Sequence, residues 1–245
     1  TLSGGECPKF EESTRDQPKL ERDAPDPFEA RRLLLQRLLL PLEQERLDAP
    51  DVAIPAVGAL AGHLPFVATL AAELGARVRV LWPDKGSLSA GEKLCNSFDS
   101  CGPVKVAHAV CDADAELMLF PKLAHVSDIR GEGGHACLTE QAMPELVEQA
   151  LNASGRSTRV VRPLLSFNGG LDDPTVLPAA TELARAMDLE GELHPRVKAA
   201  ARAAAAAQRW YETELLTAGT QALAYARANG VTPVLVCGSL HVMHD

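Results

Sequence analysis

Four cysteines, Cys95, Cys101, Cys111 and Cys137, and three histidines, His108, His125 and His135, fall between residues 95 and 137. Thiolates and imidazoles gathered in one stretch point to soft-metal or iron–sulfur chemistry. No Cys-x-x-Cys pair occurs anywhere in the chain, so the spacing is not that of a zinc ribbon or a ferredoxin-type run. Any metal site has to be assembled from separate elements.

Cys101 stands in Ser100-Cys101-Gly102-Pro103, directly before a predicted helix. Proline suits the first helical turn. The exposed N–H groups and the dipole of a helix start favour a thiolate there. The same position also suits a small buried hydrophobe in a turn. Cys137 follows a loop containing Gly131, Gly133 and Gly134, whose freedom lets a loop wrap a cofactor or simply turn. Cys95 precedes Cys101 closely enough to be a third ligand. A mononuclear zinc site from Cys95, Cys101, His135 and Cys137 is a further possibility. Cys111 ends a predicted helix and reads as core, Cys237 lies in a predicted buried strand, and Cys7 stands alone in a polar leader. His108, on the helix after Cys101, and His241, after the last strand, are the candidate acid–base groups, although either also fits a structural role. There is no Gly-x-Gly-x-x-Gly turn, Walker-type phosphate loop or Gly-x-Ser-x-Gly elbow.

The elements that must position these groups follow an α/β pattern. Residues 1–50 form a polar leader with one docking helix, whose Leu33, Leu34, Leu38 and Leu39 recur at helical spacing. Strands are predicted at 51–57, 77–82, 116–120, 159–166 and 232–237. Helices are predicted at 64–74, 87–94, 103–111, 144–153, from Asp173-Pro174 to 187, and at 195–229, with residues 124–138 as a loop. The longest helix carries Val197, Ala201, Ala204, Tyr211, Leu215, Ala218, Ala222 and Tyr225 on one seam, interrupted by Gln208. Alternation of strands and helices predicts a Rossmann-like parallel or mixed sheet with helices on both faces. The long helix would bridge two lobes, about 51–138 and 139–245. Ligands of such sheets sit at the carboxyl ends of the strands, here near Pro55, Lys122, Asn168 and His241.

Composition narrows the function classes. The 245 residues are 46% hydrophobic and 23% charged with a net charge of −9, an ordinary globular balance with no basic stripe for nucleic acid. Residues 52–72 carry no formal charge, yet Pro55, Gly58, Gly62, His63 and Pro65 divide them into a strand, a turn and a helix rather than a membrane span. Six cysteines are too sparse for a disulfide scaffold, which suits a reducing cytoplasm. The chain starts at Thr1 and stops just after a predicted strand, so it reads as a piece of a longer polypeptide.

Several segments, in order, resemble a known family. These are Ala53-Ile54-Pro55 with Leu64-Pro65-Phe66, then Ser100-Cys101-Gly102-Pro103-Val104-Lys105-Val106-Ala107-His108, then Leu119-Phe120-Pro121, then Ala136-Cys137 with Met143-Pro144-Glu145, and finally Cys237-Gly238-Ser239-Leu240-His241. They resemble the uncharacterised domain of the CoA-enzyme activase family, a relative of 2-hydroxyacyl-CoA dehydratase subunits. The resemblance covers residues 51–245, and Ser3-Gly4-Gly5-Glu6-Cys7 is similar to a cysteine motif that often precedes the domain.

The resemblance implies an iron–sulfur-associated module, with a 4Fe–4S cluster, in a system that drives low-potential electron transfer to acyl-CoA substrates. ATP hydrolysis would belong to a separate activase domain in the same or a partner chain. Cys101 and Cys137 would be ligands, with Cys95 a possible third. The family commonly has a cysteine directly after the strand-ending proline, where this chain has Lys122. A lysine there could lower nearby thiol pKa values or support anion or CoA-phosphate binding. It also leaves open a cluster-free scaffold or docking domain.

Overall fold

The computed structural model describes residues 24–44, 49–95, 100–126 and 134–232. The predicted last strand, Cys237, His241 and Cys7 lie outside the described residues. Helix α1 (Pro27–Gln44) begins at Asp26, whose carboxylate accepts the N–H groups of Phe28 and Glu29 at 2.9 and 3.2 Å, the bond that ends fraying at a helix start. Its inner face is Leu35 and Leu39, with Leu34 and Leu38 beside them. Leu33, expected on that seam, faces solvent.

Strand β1 (Asp51–Pro55), a 3-10 turn (Gly58–Gly62), helix α2 (Leu64–Leu74) and strand β2 (Arg77–Leu81) form the first βαβ unit. β1 and β2 are parallel, from Asp51 opposite Arg77 to Pro55 opposite Leu81. The charge-free stretch is therefore core: ten of the eleven α2 residues are buried. Gly75 closes α2 at φ 109°, a left-handed cap that glycine adopts without a Cβ penalty. No helix among the described residues is long and apolar enough to cross a membrane.

Helices α3 (Ser87–Leu94) and α4 (Gly102–Cys111) form a tight pair. Gly91 makes it possible, because a Cβ there would overlap the Lys105 carbonyl. Strand β3 (Leu117–Leu119) then pairs with β1 and, on its other side, with β6 (Arg159–Val161). The order in this sheet is β2-β1-β3-β6, all parallel.

The strand predicted at 159–166 is broken by Pro163 into β6 and β7 (Leu164–Ser166). The segment after β3 breaks in the same way at Pro121 and resumes as β4 (Lys122–Val126). Phe120 donates to the Val161 carbonyl and Lys122 to the Pro163 carbonyl, both at 2.9 Å. The partners Leu117–Arg159, Leu119–Val161 and Lys122–Leu164 keep one constant offset. The two segments thus run side by side through both prolines, which lack the N–H a regular ladder needs. A second sheet results, ordered β5-β4-β7, with β4 and β7 parallel and β5 (Gly134–His135) antiparallel to β4. Part of the stretch expected to be a loop, 124–138, is therefore sheet.

Helix α5 (Leu138–Ala153) starts earlier than the predicted 144, with Pro144 inside it. Helix α6 (Val176–Ala186) and helix α7 (Leu193–Ala228) complete the described chain. α7 has 36 residues, about 54 Å at 1.5 Å per residue. Its first half packs on α2 and α6, and α1 lies against it, with the Arg37 guanidinium 5.5 Å from the Trp210 ring centre. Leu216 and Leu223, farther along, are exposed. α1, α2, α6 and α7 form one helical layer and α3, α4 and α5 the other, the α/β arrangement expected. Buried apolar residues from Leu35 to Tyr211 form one contiguous core.

Candidate functional site

In this fold α4 feeds the amino end of β3 and α5 feeds the amino end of β6. Each helix therefore begins at the opposite edge, where the strands of the parallel sheet end. Cys101 is the N-cap residue of α4 and Cys137 that of α5, and both are exposed. The 3-10 turn after β1 ties this rim together. It touches α4 and β4, and the Ala59 N–H donates to the Glu140 carboxylate in the first turn of α5.

The local environments of the thiols differ. The N–H groups of Thr139 and Glu140 and the Thr139 hydroxyl hold the Cys137 thiol below its ordinary range, as expected where helix-start donors favour the thiolate. Lys122 is not among those causes. Cys101 has extended backbone geometry, and its carbonyl accepts the Val104 and Lys105 N–H groups at 3.1 and 3.2 Å. Cys95, the possible third ligand, is half-buried after α3 with its Sγ 3.1 Å from the Ser100 hydroxyl. Cys111 is buried, which pushes its thiol strongly up and suits the core role read from sequence.

Lys122 is the first residue of β4 rather than part of a rim loop. Its ammonium pairs with Glu145 of α5. Arg162 joins the same carboxylate at 3.1 Å and reaches Glu148 at 2.9 Å. Burial raises the Glu145 pKa, but the Lys122 and Arg162 cations outweigh it and leave the carboxyl below its ordinary value. At Lys122 this chain has an ion-pair network joining the α5 face to β4 and the β6–β7 corner.

His108 is buried, and its Nδ1 lies 2.8 Å from the Val104 carbonyl. A carbonyl only accepts, so Nδ1 carries a proton and donates to it. The ring borders a cavity of about 370 Å³ lined by Leu94, Leu146, Val147, Ala150 and Leu151. That cavity lies among α3, α4 and α5.

The structure also assembles groups that no sequence motif marked. His125 and His135 are directly opposite each other on β4 and β5, with ring centroids 4.4 Å apart and planes inclined by 48°. His125 Nδ1 lies 3.1 Å from the Ser166 hydroxyl, which donates to Asp173 at 3.3 Å. Asp173 also accepts the Gly169 N–H at 2.9 Å and, from Thr175, the N–H at 3.0 Å and the hydroxyl at 2.8 Å. Burial raises the Asp173 carboxyl, and these donors more than reverse it. Next along the chain, Phe167 stacks on buried His63 at 4.6 Å and meets Phe66 edge-on at 5.2 Å. A histidine every ten residues carries no periodic signal; only the register of a hairpin brings His125 to His135.

Among the described residues, no three histidine, cysteine, aspartate or glutamate side chains are grouped to hold one metal ion. The four-donor zinc set expected from Cys95, Cys101, His135 and Cys137 is thus not assembled. An iron–sulfur cluster would need several thiolates at this rim. The described residues offer two accessible cysteines at helix starts there, with no third thiolate brought to them.

No curated protein and no solved structure matches the chain. Residues 51–245 match the family described as the CoA enzyme activase uncharacterised domain. That span begins at β1, so α1 lies ahead of the matched residues. With most of its length matched, the chain belongs to the CoA enzyme activase uncharacterised domain family.

Proposed function

We propose that this domain is a non-hydrolytic, iron–sulfur-associated component of a CoA-enzyme activase or 2-hydroxyacyl-CoA dehydratase-like system. In this reading it supports ATP-driven, low-potential electron transfer to acyl-CoA substrates, with ATP hydrolysis in a separate activase domain. The observation that carries the reading is the placement of Cys101 and Cys137. Both are exposed helix N-caps at the strand-end rim, and the Cys137 environment favours the thiolate. Thiolates are the protein ligands of iron–sulfur clusters, which store single electrons when bound. The reading takes Cys101 and Cys137 as ligands, with Cys95 a possible third.

Anaerobic reconstitution of the full chain with iron and sulfide tests this. Broad visible charge-transfer absorbance is expected for the wild type and its loss for Cys101→Ala with Cys137→Ala. Absorbance that persists in the double variant, or never develops in the wild type, overturns the cluster assignment.

One observation favours a second reading, a cluster-free docking domain of the same system. Lys122 is committed to Glu145, and Arg162 bridges Glu145 and Glu148, so electrostatics stabilise the position where a further thiolate would stand. In that case the metal-free chain keeps its full thermal stability, and iron and sulfide leave it unchanged.

A further inference from the structure

We propose that His125 and His135 form a two-imidazole site for a divalent transition metal, separate from the cysteine pair. The spacing of the rings is the first argument. Two imidazoles sharing one ion at an N–metal–N angle near 90°, each nitrogen about 2.1 Å from it, place their centroids roughly 4.5 Å apart. The observed separation is 4.4 Å with planes inclined by 48°. The inclination is far from that of the His63–Phe167 stack, which lies at 6°.

The second argument is the hydrogen-bond order behind His125. Ser166 Oγ has one proton, and the Asp173 carboxylate can only accept. The hydroxyl therefore donates to Asp173, and His125 Nδ1–H donates to the hydroxyl. The Asn168 N–H also donates to Ser166 Oγ at 3.2 Å, completing that oxygen's capacity. The other ring nitrogen, Nε2, is the one a metal would take. Metal-binding histidines are held in this way, with the second ring nitrogen donating into a carboxylate-backed partner that fixes tautomer and orientation. Asp173 is anchored by four donors, so the support is rigid. His135 is exposed and makes no hydrogen bond among the described residues, which leaves it free to supply the second nitrogen. Water fills the remaining positions. Imidazole ligation suits zinc, copper, nickel and cobalt.

The site is independent of the cluster reading, and the test keeps the two apart. Metal-free full chain carrying Cys101→Ala and Cys137→Ala is titrated with cobalt(II) and followed by visible absorption and calorimetry. One ion per chain is expected, with d–d bands and no sulfur-to-cobalt charge transfer. His135→Gln and His125→Gln should each weaken binding at least ten-fold. Asp173→Asn, acting through Ser166 as a positioning change, should weaken it by about 10-fold, the lower end for a supporting partner. His135 is exposed, so its substitution leaves the fold intact. Failure of the cysteine-free chain to bind cobalt(II), or equal binding by His135→Gln, overturns the proposal. Cobalt(II) binding only when Cys137 is present, with a thiolate charge-transfer band, also overturns it and moves the metal to the cysteines.

Discussion

Gln208, on the inner face of α7, accepts the Phe66 N–H of α2 at 3.2 Å. Its amide nitrogen donates to the Gly62 carbonyl at 3.0 Å and to Glu212 at 2.9 Å. The one polar interruption of the α7 seam thus satisfies backbone groups at the start of a buried helix that has no side-chain cap of its own. The Gln208 side chain is 1% exposed, so removing it strands those partners away from water.

Gln208→Leu, similar in volume, is expected to destabilise the chain by roughly 1–3 kcal/mol, the cost of buried groups left unpaired. Urea unfolding measures it. A change near zero would mean that water reaches Gly62 and Phe66.

Gly91→Ala should be worse tolerated than its helix position suggests. In an open helix alanine is the better residue by up to about 1 kcal/mol. Here its Cβ would overlap the Lys105 carbonyl, and backbone cannot swing aside as a side-chain tip can. The expected outcome is a loss of roughly 1–3 kcal/mol with α3 and α4 forced apart. A stabilised variant in thermal melts would refute the close packing of this pair.

The thiols should separate by reactivity. Alkylation of Cys137 is expected to reach half its maximal rate below the ordinary thiol value of about 8.5, because Thr139 and Glu140 donors favour its thiolate. Buried Cys111 should stay unmodified until the chain unfolds. Mass-spectrometric mapping over a pH series reads both. Cys137 titrating at or above the ordinary value contradicts the described helix start.

Asp173 gives stability a defined pH dependence. Its carboxyl is held below its ordinary value in the folded chain. The stabilisation is therefore fully present above the unfolded value of about 3.9. It is lost as pH falls from there through the depressed folded value. Compared with Asp173→Asn, the wild type should hold a constant advantage near neutrality that shrinks only in that acid window. An advantage that fades between pH 5 and 7 would point to a histidine instead.

Much of the architecture was legible because single residues punctuate it. Gly75 ends α2, and α3 spans Ser87–Leu94 as its pattern predicts. The βα alternation gives the parallel sheet. The α5 start was misplaced because Pro144 is a strong start signal, while the first turn is fixed by Glu140 reaching Ala59, a contact distant in sequence. Pro163 lies in plain view within the predicted strand, yet its partner break at Pro121 is apparent only once the two segments pair. Of the two exposed cysteines, Cys101 was readable at its helix start, whereas Cys137 follows a Gly-rich loop in the sequence and its place at a helix start emerges only in the structure. The commitment of Lys122 to Glu145 and the His125–His135 pair depend on register and tertiary contact, which no local pattern carries.

The most direct measurement of the central claim is the iron and acid-labile sulfide content of the full chain purified without oxygen. It is compared across wild type, Cys101→Ala, Cys137→Ala and the double variant. The proposed function predicts iron and sulfide in equal amounts in the wild type, diminished in each single variant and absent from the double variant. Wild type free of both, or a double variant that retains them, would contradict it.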